Sequence, residues 1–188
     1  MARVSRETAA AHRTAIVRAA GRLFRARGLE RVGVAEITRE AGLTHGGFYG
    51  HFASKDALAA EALEAAFAES RARLDEGTIE SWVKGYLSRT HRDHPDEGCP
   101  IPALAAEAAQ TGGAIGQAFA EGVSRLTDLV AERLDGDDPA DRRGRAAALL
   151  ATLIGGLTLA RSLAATDREA SDALLRDLRR RALGLGRP

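Results

Sequence analysis

Residues 28–55 read GLERVGVAEITREAGLTHGGFYGHFASK, and this stretch decides the fold. A short apolar helical pattern ends at Gly42, where a left-handed turn is open to glycine. A second short pattern starts at Thr44 and ends in a cluster of aromatic residues, and Lys55 follows. Two short helices joined by a tight glycine turn are typical of a helix-turn-helix, which places its second helix in the major groove of duplex DNA.

The composition is that of an ordinary globular protein that favours helix over strand. Hydrophobic residues make up 45% and charged residues 28% of the 188 residues. The single cysteine excludes an intrachain disulfide. We find no apolar run of the roughly 20 residues needed to cross a bilayer, and no secretory signal at the N-terminus. We therefore expect a cytoplasmic protein that has no membrane partner.

Charge is divided unevenly along the chain. Residues 1–58 carry ten Lys and Arg against five Asp and Glu, whereas residues 59–188 carry 17 against 21. We call residues 1–58 the head and residues 59–188 the body. A basic head on an acidic body suits binding of a polyanion by the head, although an uneven surface charge can also arise by chance.

The hydrophobic periodicity predicts an all-α fold of about nine helices, with no alternating strand pattern. The predicted helices cover residues 5–27, 34–41, 44–51, 54–75, 78–92, 101–110, 114–134, 140–165 and 168–185. Ser5 and Ser54 are the predicted N-caps of the first and fourth helices. We expect a helix-turn-helix DNA-binding domain at residues 1–53 and a helical ligand-binding and dimerisation domain at residues 54–188.

The first 58 residues resemble the DNA-binding domain of TetR-family transcriptional regulators. The resemblance is carried by AGLT at 41–44, THGGFYGHF at 44–52 and SKDAL at 54–58. Residues 98–107, GCPIPALAAE, look like a segment found in one branch of that family, and the helix count also matches. The resemblance implies a homodimer that binds a palindromic operator and releases it on binding a small-molecule inducer, without a cofactor. Sequence does not separate a repressor from an activator.

Each residue type in the helix-turn-helix suits contact with DNA. Thr44 is expected to cap the third helix, His45 to read a base edge, and Gly46 and Gly47 to let the backbone approach closely. Phe48 and Phe52 are expected to pack inward. The remaining predicted DNA contacts are Tyr49, His51, Lys55, Arg3, Arg6 and Gly33, the last standing where the family usually has Ser or Thr. Tyr49 also fits a core role, and His51 a hydrogen bond at a helix end.

The resemblance further implies that the body encloses the inducer, whose binding tilts the fourth helix and spreads the two heads. The candidate ligand-binding residues, each of which also fits plain core, are Phe67, Trp82, Tyr86, Cys99, Leu104 and Phe119. The eighth and ninth helices are the expected dimer interface, as a four-helix bundle with their mates. The candidate interface residues are Leu149, Leu153, Gly156, Leu157, Leu174 and Leu178.

Three further hypotheses concern the segment around Cys99 and the body. A thiol near the start of a helix can be reactive, which would make Cys99 a redox or electrophile sensor. Two observations oppose this hypothesis. Neighbouring carboxylates raise the pKa of a thiol, and a free cysteine is often simply a buried apolar residue. The spacing of His91, His94, Asp96 and Cys99 permits a metal site but matches no standard zinc pattern. The body could instead bind another protein. No enzyme motif is present, so we expect no catalysis.

Overall fold

Helices make up most of the part of the chain that the structure describes. The structure is a computed structural model that describes residues 6–185, except for the side chains of His45 and Leu185. No strand occurs within that range, which confirms the all-α prediction. The helices are α1 (Arg6–Arg27), α2 (Val34–Glu40), α3 (Lys55–Asp75), α4 (Ile79–Tyr86), α5 (Arg89–Asp93), α6 (Ile101–Thr111), α7 (Gly113–Glu132), α8 (Pro139–Ala164) and α9 (Arg168–Leu185).

Short polar residues and glycines set the ends of these helices. Gly28 ends α1 with a φ of +89°, and its N–H donates to the carbonyl oxygen of Phe24 at 2.8 Å. Ser54 caps α3, because its hydroxyl accepts the N–H of Ala57 at 3.0 Å. The predicted cap Ser5 lies outside the described residues.

The predicted third helix, residues 44–51, is wrong as a regular helix. The structure has a short 3₁₀ turn at His45–Gly47, and turns follow it as far as His51. Gly46, Gly47 and Gly50 explain the difference, because each glycine in a helix costs about 1 kcal/mol relative to alanine. The helix propensity of residues 44–51 is therefore too low to favour a regular α-helix over so short a segment.

The predicted helix at residues 78–92 is two helices. Leu87 leaves the helical region at φ −90° and ψ +47°, and Ser88 then starts α5 by accepting the N–H of His91 at 3.1 Å. The apolar spacing of Trp82, Val83 and Leu87 runs up to this break, and no glycine or proline stands at residues 87–88, so apolar spacing alone did not separate the two helices.

The helix α3 connects the head to the body. It packs against α1 at its first half and against α7 along the body, while α8 packs against both α7 and α9. The buried core therefore runs without interruption from the head into the body. Its largest fully buried side chains are Phe24, Phe48, Phe67, Ile16, Ile37, Leu58, Leu63, Leu74, Leu87, Leu104, Leu126 and Leu149.

By length and composition, α8 is apolar enough to cross a membrane. Its inward residues Leu149, Leu153 and Leu157 are completely buried against the rest of the chain. A helix that is apolar around most of its circumference is also typical of a core element, and the contacts of α8 with α7 and α9 give it that place here.

Candidate DNA-binding surface and ligand cavity

A glycine turn closes the helix-turn-helix of the head. After α2 the chain reverses through Gly42, whose φ of +71° lies in the left-handed region. The N–H of Gly42 donates to the carbonyl oxygen of Arg39 at 3.0 Å, and the N–H of Leu43 donates to that of Thr38 at 2.8 Å. Residues with a side chain rarely adopt this φ, so the turn depends on Gly42, as its place in the sequence indicated.

The recognition segment, residues 44–52, has one buried side and one exposed side. Phe48 and Phe52 are 0% and 4% exposed, and their rings stack with centroids 5.7 Å apart. Between them Tyr49 is 66% exposed, and Thr44 and Gly46 are exposed as well. The two phenylalanines thus anchor the segment to the core and turn its polar edge to solvent.

Three other predicted DNA contacts lie on the surface of the head. Lys55, at the start of α3, is partly exposed, and Arg6, at the start of α1, is exposed. His51 is half-buried, and its ring meets the ring of His12 edge to face at 6.3 Å. These side chains carry cationic or hydrogen-bonding tips suited to phosphate.

Two of the predicted DNA contacts fall outside the described part of the chain. The structure gives the backbone of His45, in the 3₁₀ turn, but not its side chain, and Arg3 precedes the described range. The base-reading role of His45 and the DNA contact of Arg3 stay predictions.

Gly33 occupies the N-cap position of α2 without a side chain to cap it. Its carbonyl oxygen accepts the N–H groups of Glu36 and Ile37, both at 3.1 Å. Gly33 is exposed, and a Cβ at this position would meet no atom within 4 Å. The start of α2 is therefore open to a close approach by phosphate.

Arg13 is a residue of the head that sequence reasoning missed. Its guanidinium lies 4.5 Å above the centre of the Phe52 ring and also pairs with Glu61 of α3. A cation over an aromatic face is stabilising, so Arg13 holds the end of the recognition segment between α1 and α3. No periodicity links residues so far apart in sequence, so no signal was available to find it.

A cavity of about 550 Å³ opens in the body. This volume falls within the usual range for small-molecule sites. Three of the predicted ligand residues line it: Trp82, Tyr86 and Cys99. The polar lining residues that sequence reasoning did not assign to a small-molecule ligand are Ser70, Arg73, Glu76, Ser81, Ser88, Thr90, His91, His94 and Glu97.

The other three predicted ligand residues do not line this cavity. Phe67 is completely buried, with its ring packed so closely on Gly122 of α7 that a Cβ there would lie 2.2 Å from a ring carbon. Phe119 packs edge to face on Phe67 at 5.7 Å, and Leu104 is 2% exposed in the core. Helical spacing gave their inward direction correctly, but close contact between α3 and α7 fills the space they point into.

His91 fixes one wall of the cavity and is not available as a metal ligand. Its Nδ1 lies 2.8 Å from the carbonyl oxygen of Tyr86, and its Nε2 accepts the N–H of Cys99 at 3.0 Å. Burial lowers the pKa of His91 to about 4, so the ring is neutral with its hydrogen on Nδ1. Within the described residues no three His, Cys, Asp or Glu side chains could hold a metal ion, which argues against the spacing-based metal hypothesis.

Two sequence families match the chain and together cover most of it. Residues 16–62 match the family described as bacterial regulatory proteins, tetR family. Residues 59–170 match the C-terminal domain of LmrA/YxaF-like transcriptional regulators. The chain belongs to the TetR family of transcriptional regulators. Both matches meet within α3, the helix that joins the head to the cavity.

Solved structures of TetR-family regulators share this fold. A regulator from Cytophaga hutchinsonii is 21% identical, with a TM-score of 0.74 over 97% of this chain and 98% of its own. A regulator from Legionella pneumophila is 14% identical, with a TM-score of 0.75 over 98% of both chains. The reduced form of E. coli NemR is 20% identical, with a TM-score of 0.69 over 89% of this chain and 94% of its own. No protein with a curated description matches this chain significantly.

Membership of the TetR family defines the class of activity. Regulators of this family bind DNA through the helix-turn-helix, typically form homodimers and respond to small molecules. They are in general non-enzymatic proteins of the cytoplasm. The match at residues 16–62 thus assigns DNA binding to the part of the chain that holds the helix-turn-helix.

Cys99 of this TetR-family chain lines the cavity at a buried position, where its environment opposes reactivity. The residue is 3% exposed, and burial raises the pKa of its thiol. The pKa of the neighbouring Tyr86 hydroxyl is also raised by burial. Since the thiolate is the reactive form, the cavity makes Cys99 a weak nucleophile at neutral pH.

Alkylation by iodoacetamide tests this expectation. We expect Cys99 to react more slowly in the native protein than in concentrated urea, because burial limits access to the sulfur and raises the pKa of the thiol, which leaves less of the reactive thiolate. The native rate should rise with pH, with a midpoint above that of an ordinary thiol. Intact mass over time measures both rates. Equal rates at neutral pH would show an accessible thiolate and would favour the sensor hypothesis.

The structure corrects the expected dimer contacts on α8. Leu149, Leu153 and Leu157 are completely buried within the monomer, and Gly156 packs against Leu178 and Leu87. Leu174 and Leu178, on α9, are partly buried against the same core. Apolar residues cover most of the circumference of α8, so the sequence could not say which side faced the monomer. The opposite side of α8 is exposed at Ala148, Ala151, Thr158, Leu159, Ser162 and Leu163, and partly exposed at Thr152 and Gly155.

Proposed function

We propose that this TetR-family protein is a homodimeric repressor that binds a palindromic operator and releases it when a small molecule fills the cavity. The observation that carries the proposal is the two-sided recognition segment. Phe48 and Phe52 are buried while Thr44, Gly46 and Tyr49 face solvent. A basic head that exposes a glycine-rich, polar edge has the shape and charge to enter a major groove. The protein acts in the cytoplasm, where its DNA target lies.

The residues of the head make two kinds of DNA contact, one with base edges and one with phosphates. His45 reads a base edge, and the glycines beside it let the backbone approach the groove. Tyr49, His51 and Lys55 contact phosphates, and so do Arg6, at the start of α1, and Arg3, which precedes it in the sequence. At Gly33 the backbone N–H groups at the start of α2 face a phosphate in place of the usual hydroxyl. The short 3₁₀ turn at His45–Gly47 becomes regular helix in the groove, because contacts with DNA compensate the low helix propensity of glycine.

Two heads are required because one recognition segment reads few base pairs. The exposed side of α8 supplies the dimer contact, since its small residues let a second helix approach and Leu159 and Leu163 add apolar area. A two-fold axis through this contact presents two equivalent heads, so the operator is a near-palindrome.

The cavity binds the inducer. Trp82 and Tyr86 offer an aromatic wall, with ring centroids 5.4 Å apart, and Arg73 and Glu76 bring both signs of charge to the lining. This lining suits a small organic molecule with an aromatic part and polar substituents. The ligand lowers operator affinity only if it binds more tightly to the arrangement of the body in which the heads no longer fit successive grooves.

Substitution of two head residues tests the DNA-binding assignment. We expect His45→Ala to relax base preference at the positions it reads, by about 1–3 kcal/mol of discrimination. Lys55→Ala should weaken binding to all sequences alike and lower the salt dependence by about one unit per subunit, since one phosphate contact is lost. Selection of duplexes from a random library, followed by titration at several salt concentrations, measures both effects.

Lys84→Ala is the matched control for Lys55→Ala. Lys84 is an exposed lysine of the body that pairs with Glu80 on α4, so its loss should leave operator affinity and salt dependence unchanged. If the head variants both bind the selected duplex as the wild type does, the recognition segment is not the DNA-binding surface and the proposal fails.

A further inference from the structure

The loop between α5 and α6 has one side on the cavity and one side on the head. Glu97, Gly98 and Cys99 line the cavity. Asp96, immediately before them, lies against α1 and contacts Arg22 and Arg25. Consecutive Cα atoms are only about 3.8 Å apart. The two sides of this loop, residues 94–99, are therefore too close along the chain to move independently. When the residues that line the cavity shift, Asp96, which contacts α1, shifts with them.

Arg25 is the most buried part of this link. Its side chain is 4% exposed, and its Nε donates to the backbone carbonyl oxygen of Asp96 at 2.7 Å. One of its terminal nitrogens lies 3.3 Å from Glu69 of α3. Arg25 thus joins α1, α3 and the loop at one point. A buried guanidinium that loses a partner is costly, so Arg25 resists separation of the loop from α1.

Arg22 adds a second contact to the same residue of the loop. Its Nη2 lies 2.9 Å from the Oδ2 of Asp96, about one helical turn before Arg25 on α1. The loop is also held on its cavity side. The carbonyl oxygen of Glu97 accepts a hydrogen bond from Arg73 at 2.5 Å, and the N–H of Cys99 donates to His91 at 3.0 Å. Arg73 and His91 both line the cavity.

We propose that Arg22 and Arg25 transmit occupancy of the cavity to the DNA-binding head through Asp96. This inference rests on the proposed function, since it names the route by which the ligand acts. A ligand that displaces residues 97–99 moves Asp96, and Asp96 carries α1 with it. The head then turns relative to α3, and the two recognition segments of the dimer lose their common spacing. The route differs from a tilt of α3 alone, because it reaches the head through α1.

Gly98→Ala displaces the loop without any ligand. A Cβ on Gly98 would lie 2.5 Å from the Nε2 of His91 and 3.3 Å from the Nη2 of Arg161. The His91 ring is held at both nitrogens, so the loop is the part that moves. The backbone of Gly98, at φ −86° and ψ −176°, suits any residue, so the substitution acts by steric contact alone. We expect it to lower operator affinity about tenfold, within the usual range of allosteric coupling.

A double-mutant cycle then tests the route. In the background of Arg22→Gln and Arg25→Met, Gly98→Ala should lower operator affinity less than about twofold, because the displaced loop no longer pulls on α1. Arg22→Gln alone, at a half-exposed side chain, should give an intermediate effect and serves if the double background folds poorly. The probe is the duplex that the wild-type protein selects from a random library. Thermal melting confirms that every variant compared is folded.

Gly116→Ala is the control for adding a methyl group. A Cβ on Gly116 would lie 3.6 Å from the carbonyl oxygen of Ala108, an ordinary contact, so operator affinity should stay at the wild-type value. If Gly98→Ala binds the operator normally, or if its loss of affinity is the same with and without Arg22 and Arg25, the route is wrong although the protein remains an operator-binding regulator. A wild-type protein that selects no duplex would instead overturn the proposed function, and the route with it.

Discussion

Replacing Leu159 and Leu163 together with glutamate is expected to convert the protein to a monomer and to lower its operator affinity by more than about a hundredfold. The two leucines are 58% and 37% exposed on the outer side of α8. In the proposed dimer, Leu159 and Leu163 of one subunit lie beside the same residues of the other subunit across a two-fold axis. The double substitution would therefore bring four carboxylates together in an apolar contact. Loss of the second head removes an avidity gain of about 10²–10⁴.

The expected change is separate from a loss of folding. Both leucines are exposed in the monomer, so the glutamates can stay solvated there and the melting temperature of the isolated subunit should change little. Analytical ultracentrifugation gives the oligomeric state, and titration of the selected duplex gives the affinity. Ala120→Glu, at an exposed position of α7, is the control for added charge. A dimeric double variant would show that the interface lies elsewhere.

Phe48→Ala and Tyr49→Ala, at neighbouring positions, are expected to have opposite effects. Phe48 is completely buried, so its truncation should lower the free energy of unfolding by about 3–5 kcal/mol. Tyr49 is 66% exposed, so its truncation should change that free energy by no more than about 0.5 kcal/mol. Tyr49→Ala should instead weaken operator binding, because the ring and hydroxyl leave the face that meets DNA.

Urea unfolding and duplex titration on the same preparations separate the two effects. Phe48→Leu, which keeps an apolar side chain, should recover part of the stability lost in Phe48→Ala. Equal losses of stability in the two alanine variants would mean that both rings are core and that the segment does not present an exposed edge. A Tyr49→Ala variant that is stable and binds normally would remove Tyr49 from the DNA-binding surface.

The head was largely predictable because its signals are local. Gly42 closes the turn with a positive φ, Ser54 caps α3, and Phe48 and Phe52 pack inward, as their places in the sequence indicated. These outcomes depend on residues a few positions apart. The regular third helix was the exception, because helix formation over residues 44–51 depends on the sum of propensities, and three of those eight residues are glycine.

The cavity was predictable only in part. Trp82, Tyr86 and Cys99 line it, whereas Phe67 and Phe119 fill the contact between α3 and α7. Trp82 and Tyr86 have the same inward helical spacing in the sequence as Phe67 and Phe119. The two pairs differ in how closely the surrounding helices pack. Gly122 has no side chain, so α7 approaches the ring of Phe67 closely and leaves no space there. The polar lining from the loop before α6 carried no periodic signal at all.

The amino-acid sequence by itself determined the all-α class, the helix-turn-helix with its glycine turn, and the family to which the chain belongs. These properties follow from spacing, capping and turn residues, which act over one or two helical turns. The tertiary structure alone decided which side of α8 is free for a partner and where the cavity lies. It also decided that Arg25 joins α1 to the loop beside Cys99. These properties depend on how helices distant in sequence pack, and side-chain volume and close contact fix that only when the whole core is assembled.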